Sequence, residues 1–174
     1  RTKGEDPLDP GGYFIINGTE RVLISMEDLA PNRVTVEINK RYTKQTEVAK
    51  IFSQKEGTRK PLTVEKRRDG MLMVKISTAG TTAIPVVLLM RALGIENDQE
   101  LFQAIAGPTD TFKFIVANIN EVKDNEEYAV DNLEESHQWL EKKFAAGQQK
   151  EYREARVNQL LDCELLPHLG DQVD

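Results

Sequence analysis

Chemistry in a chain of this size rests on a few side chains, and few here are of the right kind. There are two histidines, His137 and His168, and one cysteine, Cys163. Neither histidine has a cysteine or carboxylate at an outstanding metal-ligand spacing, so no metal centre or acid–base pair is written into the sequence. A surface or helix-capping role is the expectation for both. Cys163, beside Leu161 and Leu165 on a predicted helix, is expected to be buried and inert. Glu126-Glu127 and Glu134-Glu135 are neighbours on predicted helices, where adjacent side chains diverge, so they read as solvated faces rather than shared acid–base sites. Trp139, with Leu140 and Phe144, reads as a core anchor rather than a base-stacking platform. Walker loops, G-x-G-x-x-G and G-x-S-x-G are absent from the sequence, so neither a phosphate cradle nor a nucleophile elbow is predicted.

The side chains that remain are cations. Residues 40–68 hold ten Lys/Arg against three Glu, a balance of +7. Residues 96–141 hold two lysines against twelve acids, a balance of −10, and the whole chain carries −6. A basic half and an acidic half can face two different partners. Arg59, Lys60, Lys66, Arg67 and Arg68 surround a predicted hairpin, where cations can neutralise phosphates without reading base sequence. Lys and Arg also guard edge strands against aggregation. From the residues alone these two readings stand side by side, a phosphate-binding arm or a merely soluble hairpin, and the alternative function is an interaction module meeting a protein through its basic hairpin or acidic helices.

The elements that must position these cations are legible in the periodicity. YFII and ERVLIS flank Asn17-Gly18, a strong hairpin signal. RVTVEI alternates with period two and places Val34, Val36 and Ile38 on one face. EVAKIF follows, and the polar, Gly-containing stretch 53–61 reads as an exposed loop. LTVEKR and MLMVKI are joined by Arg68-Asp69-Gly70, again a hairpin turn. At Pro85 the period changes to helical, and VVLLMRAL runs to Gly94, a suitable C-terminal stop. That helix is apolar nearly all round and should be buried. Asn97-Asp98-Gln99-Glu100 resembles a capping box for the next helix. Thr109 or Asp110 is the expected cap of a third, with Phe112, Ile115, Val116 and Ile119 on its apolar face. Asp124 with Glu127 could open a fourth through Tyr128, Val130 and Leu133. Further helices are predicted near His137–Phe144 and from about Lys150 to Leu166, with an exposed loop at 145–149 between them. The class is α+β: a small antiparallel β-sheet with hairpins in the N-terminal half and several short packed helices in the C-terminal half.

The bulk numbers agree with an ordinary globular chain. It has 174 residues, 39% hydrophobic and 30% charged. Its longest apolar stretch, IPVVLLM, is too short for a membrane span, so no membrane association is expected. A single cysteine leaves no internal disulfide, and a reducing, intracellular home is the expectation.

Three blocks carry more than local structure: GGYFIINGTERVLISMEDLAPN at 11–32, IPVVLLMRALGIENDQELFQAI at 84–105 and LLDCELLPHLG at 160–170. In this order they resemble the second-largest subunit of multisubunit DNA-dependent RNA polymerases of the archaeal and eukaryotic branch, with wording closer to the archaeal. The resemblance implies that residues 1–32 end a segment of the protrusion domain and residues 33–174 form the lobe domain. It implies a wall of the DNA cleft and a docking surface for transcription factors or small zinc-ribbon subunits. Other polymerase subunits and downstream DNA would be the partners. It implies no catalytic or metal-binding residue here, because the Mg²⁺ and its aspartates lie elsewhere in such enzymes and no cofactor is expected in these residues. A cytoplasmic, nucleoid-associated location follows if the source is archaeal, and a nuclear one if eukaryotic.

Overall fold

The structure, a computed structural model, describes residues 4, 6–39, 46–77, 82–105, 107 and 111–170. Strands come first: β1 Phe14–Ile16, β2 Thr19–Arg21, β3 Val34–Asn39, β4 Thr46–Lys55, β5 Thr58–Lys66, β6 Leu72–Ile76 and β7 Ala83–Pro85. The helices are α1 Val86–Ala92, α2 Asp98–Ile105, α3 Thr111–Asp124, α4 Leu133–Phe144 and α5 Lys150–Gln159, followed by a π turn at Leu160–Glu164 and a 3₁₀ turn at Pro167–Leu169. β1 and β2 form a separate hairpin, while β3 to β7 make a five-stranded antiparallel sheet in sequence order. The α+β arrangement is the one the periodicity predicts.

The register sorts the sheet into two faces. Val34, Ile51, Leu62 and Ile76 form one cross-strand row, and Val36, Ala49, Val64, Val74 and Ile84 the next. At the β5–β7 end this first face packs on Leu88, Leu89, Leu140, Val157, Leu160, Leu161 and Leu165 from α1, α4, α5 and the π turn. Met73 alternates to the second face, where it meets Val87, Leu101, Ile115, Ile119 and Val122 from α1, α2 and α3. Helices therefore cover both faces near β6, and α1 contributes to both cores. That is why its sequence is apolar all round.

α1 also buries a charge. Arg91 is 1% exposed. Its guanidinium donates to the Val130 carbonyl and, at 2.9 Å, to Asp98 Oδ1, with Asp131 Oδ1 at 3.8 Å. Asp98 is also bound by Lys123. One side chain thus ties α1, α2, α3 and the 125–132 connection together. At the end of α1, Gly94 adopts φ 95°; its N–H bonds to Arg91 O and that of Ile95 to Met90 O, closing a Schellman stop.

Several expectations need correction. Stretch 53–61 is not a loop: β4 and β5 continue through it and turn at Glu56-Gly57, with φ of 47° and 81°. Those paired positive values define the tight hairpin turn whose twist suits flanking strands. The return strand of the first hairpin stops at Arg21, so VLIS is not strand. Asp124 and Glu127 open no helix; Asn125 organises a turn there by accepting the Glu127 N–H on its side chain and the Tyr128 N–H on its carbonyl. The cap of α4 is Asn132, which accepts from Glu135 N–H at 2.8 Å. In the 145–149 connection Ala145 is buried, while 146–149 are exposed. The last helix changes to a π turn at Leu160, and Cys163 is exposed, not buried. The wider turn rotates the apolar stripe, so Leu160, Leu161, Glu164 and Leu165 point inward instead. The Thr109/Asp110 cap lies outside the described residues. Asn97 does cap α2, accepting the Gln99 N–H at 2.9 Å.

Candidate nucleic-acid interface

β5 carries the candidate cations, and the structure separates them. Arg59 and Lys60 lie next to the β4–β5 turn, whereas Lys66, Arg67 and Arg68 lie at the β5–β6 turn. From Arg59 to Lys66 the strand rises about 23 Å at ~3.3 Å per residue. The five do not form one patch.

At the first end Arg59 is engaged within the chain. Arg59 Nη1 binds Asp28 Oδ2 at 2.6 Å, and the guanidinium lies 4.4 Å from the Phe52 ring centroid. The Arg59 hydrogen bond, with the Leu29 N–H, holds the Asp28 carboxyl below its usual range. Asn32 fastens the same N-terminal segment to β4. Its side chain accepts the Gln54 N–H at 2.7 Å and donates to Gln54 O at 3.1 Å. Lys60 makes no ion pair among the described residues; it lines a shallow depression with Lys55, Asp162, Cys163 and Glu164.

The second end is built differently. Gly70 N–H bonds to Arg67 O at 3.0 Å, Arg67 N–H to Met71 O at 2.8 Å, and Asp69 Oδ1 accepts the Met71 N–H at 2.9 Å. This is a tight turn with Arg68 and Asp69 at its tip, and Gly70 at φ 88° supplies the left-handed residue it needs. Asn118, 5% exposed on α3, clamps the turn from below. Its Oδ1 accepts the Leu72 N–H at 2.7 Å, and its Nδ2 donates to Gly70 O at 3.0 Å and Phe114 O at 2.8 Å. Lys66 binds Glu47 at 2.8 Å and lies 4.7 Å from the Phe114 ring centroid. Arg67 stands 3.5 Å from Asp69, and Arg68 makes no ion pair among the described residues. Arg67 also shares a shallow depression with Lys75 and Lys143, each held by a carboxylate: Glu65 at 2.6 Å and Glu127 at 2.8 Å. The sequence reading missed both lysines. Lys75 has the same strand parity as Arg67 across the hairpin, which was a usable signal; Lys143 arrives from α4 and had none.

The reactive side chains are placed apart. His137 Nε2 lies 2.9 Å from the Ala92 carbonyl at the end of α1, a capping position. His168 Nδ1 lies 2.8 Å from Ser53 Oγ, which is itself fully buried, and its N–H donates to the same oxygen at 3.1 Å. This pair staples the C-terminal turn to β4. Trp139 is partly buried against the core and donates its indole N–H to Glu127 O at 2.7 Å. Among the described residues no three His, Cys, Asp or Glu side chains gather as a metal site, and no helix is long and apolar enough to cross a membrane.

The site as described is thus a basic turn braced on α3. The model of RNA polymerase Rpb2, domain 2, matches residues 30–174, and the chain belongs to that family, the second-largest subunit of DNA-directed RNA polymerase. It is 43% identical to DNA-directed RNA polymerase subunit Rpo2N of Halobacterium salinarum, over 97% of this chain and 31% of that protein. It is 45% identical to Rpo2N of Methanocaldococcus jannaschii, over 96% of this chain and 33% of the relative. With subunit Rpo2 of Saccharolobus shibatae it shares 39% identity, over 98% of this chain and 15% of the relative. The chain thus spans about a third of the Rpo2N relatives and less of Rpo2.

Proposed function

We propose that residues 33–174 are the lobe of the polymerase subunit and form part of the wall of its DNA cleft, with the Lys66-Arg67-Arg68 turn toward the phosphates of downstream DNA. Residues 1–32 end the protrusion segment. The acidic helices face outward, to transcription factors or small zinc-ribbon subunits, and the remaining polymerase subunits are the constant partners. Template-directed RNA synthesis, with its Mg²⁺, belongs to other parts of the enzyme. The archaeal relatives favour a cytoplasmic, nucleoid-associated enzyme.

One observation carries the DNA assignment. At the β5–β6 turn three consecutive cations meet a clamp from α3, Lys66 on Glu47, Arg67 beside Asp69 and Arg68 at the tip without an ion pair among the described residues, whereas the opposite end holds only two, Arg59 bound by Asp28 and Lys60 without an ion pair there. Changing Lys66, Arg67 and Arg68 together to Ala in the assembled polymerase tests it. Each phosphate deprived of its cation lowers the slope of log affinity against log salt by about 0.9. A fall of about 1 to 3 is expected, with open complexes dissociating mainly at higher salt. An unchanged slope removes the DNA assignment and leaves the basic turn to a protein partner.

A further inference from the structure

The five-stranded sheet has two edges that differ in kind. β7 is three residues long, ends at Pro85 and runs straight into α1, so it offers almost no ladder to another strand. β3 has six residues and contains neither proline nor lysine. Glu37, its one charged residue, lies on the second sheet face and pairs with Lys50. On the first face Val34, Val36 and Ile38 are 65%, 75% and 58% exposed. Val34 and Val36 continue the cross-strand rows that α1, α4 and α5 bury at the far side of the sheet, and Ile38 stands on the same face opposite Glu47. The covering layer ends on β4, where His168 meets Ser53. Among the described residues β3 is therefore the outer part of a core face without its cover, beside an unguarded ladder.

We propose that the free edge of β3 takes a further strand from the part of the same subunit polypeptide that lies outside residues 1–174, and that this addition covers Val34, Val36 and Ile38. Two observations select that occupant. The chain spans only 31–33% of the Rpo2N relatives, so most of such a polypeptide lies elsewhere, tethered to this edge at high effective concentration. The N-terminal segment, fastened to β4 by Asn32, likewise exposes Phe14, Ile15, Ile16, Leu23, Ile24 and Met26. One intramolecular neighbour can cover both, whereas a second copy joined along six residues of β3 would leave that segment bare. The inference rests on family membership and is independent of which end faces DNA.

Amide hydrogen exchange over residues 33–39 tests it, measured in this chain, in the full-length subunit alone and in the assembled polymerase. The amides of β6, inside the sheet, report in each sample that the domain is folded. About half of the β3 amides point away from β4. These should exchange fast in this chain at every concentration, at least tenfold slower in the full-length subunit, and no slower in the polymerase. Val36→Lys should leave the thermal midpoint of this chain unchanged and restore fast exchange in the full-length subunit. Fast exchange in all three samples overturns the proposal. Protection arising only in the polymerase overturns it in favour of another subunit, and protection growing with the concentration of this chain does so in favour of a second copy.

Discussion

Asp98→Asn isolates the interaction on which the helical half depends. Arg91 is almost wholly buried, and Asp98 supplies its nearest carboxylate, 2.9 Å away. The other acid, Asp131, is at 3.8 Å and 79% exposed, too wet to replace it. Removing one partner of a fully buried ion pair costs about 3–5 kcal/mol. Here the carboxylate is 38% exposed, so solvent screens part of that, and Asn keeps a neutral acceptor for the guanidinium. The expected loss is about 2 kcal/mol, which lowers the thermal midpoint by about 4–8 °C. Arg91→Met removes the charge that needs compensation, at the cost of the Val130 carbonyl's donor, about 1–2 kcal/mol. With Met at 91, adding Asp98→Asn should cost little more, so the double-mutant cycle should show coupling of about 1.5 kcal/mol. The acid limb supplies a second readout. Burial pushes the Asp98 carboxyl up, but the hydrogen bonds and charges of Lys123 and Arg91 outweigh it and hold the group below its ordinary value. A depressed folded pKa gives stability that is full above the unfolded value, about 3.9, and is lost as pH falls through the folded one. The gap between parent and Asp98→Asn should therefore close below about pH 4. Circular dichroism melts at several pH values measure all of this. A midpoint shift under about 1 °C, or strictly additive single and double variants, would refute the assigned role of the pair.

Three further outcomes are expected. Asn118→Ala removes three hydrogen bonds under the basic turn, costing about 2 kcal/mol, and should speed exchange of the Leu72 amide more than that of the Ile76 amide; equal effects at both would mean that Asn118 does not clamp the turn. Ser53→Ala should cost about 1 kcal/mol and release the Pro167–Leu169 turn to proteolysis while the melt stays cooperative. Asn132→Ala should cost about 1 kcal/mol through loss of the α4 cap, whereas Asp124→Ala, at the end of α3, should cost almost nothing; the reverse order would contradict the helix start placed at Leu133.

What could be read from the sequence was local. Asn17-Gly18 and Asp69-Gly70 marked real turns, and the uniform hydrophobicity of VVLLM, stopped by Gly94, marked α1 as a buried helix. The β4–β5 hairpin was missed because its turn places Glu56 at positive φ, a conformation that glutamate rarely announces. The start of α4 was missed because Asp124 and Glu127 imitate a cap while Asn132 and Glu135 form it. Cys163 was misplaced because one π turn shifts the phase of a helical stripe. The Arg91 knot was illegible for another reason. Its partners stand 7 and 39–40 residues away in sequence, and only the packing of α1 brings them within reach. The candidate cations could be picked out as residues, but their division between two ends of β5 depended on where that strand begins.

The measurement that bears most directly on the central claim is a photo-crosslink from position 68. A photoreactive amino acid replaces Arg68 in the assembled polymerase, bound to a promoter or elongation template, and the crosslinked partner is identified by strand and position. A basic turn facing the cleft predicts a crosslink to DNA downstream of the site of RNA synthesis, absent when the probe stands at position 142 on the acidic helical side. Crosslinks from position 68 to polypeptide alone, with none to DNA, would contradict it.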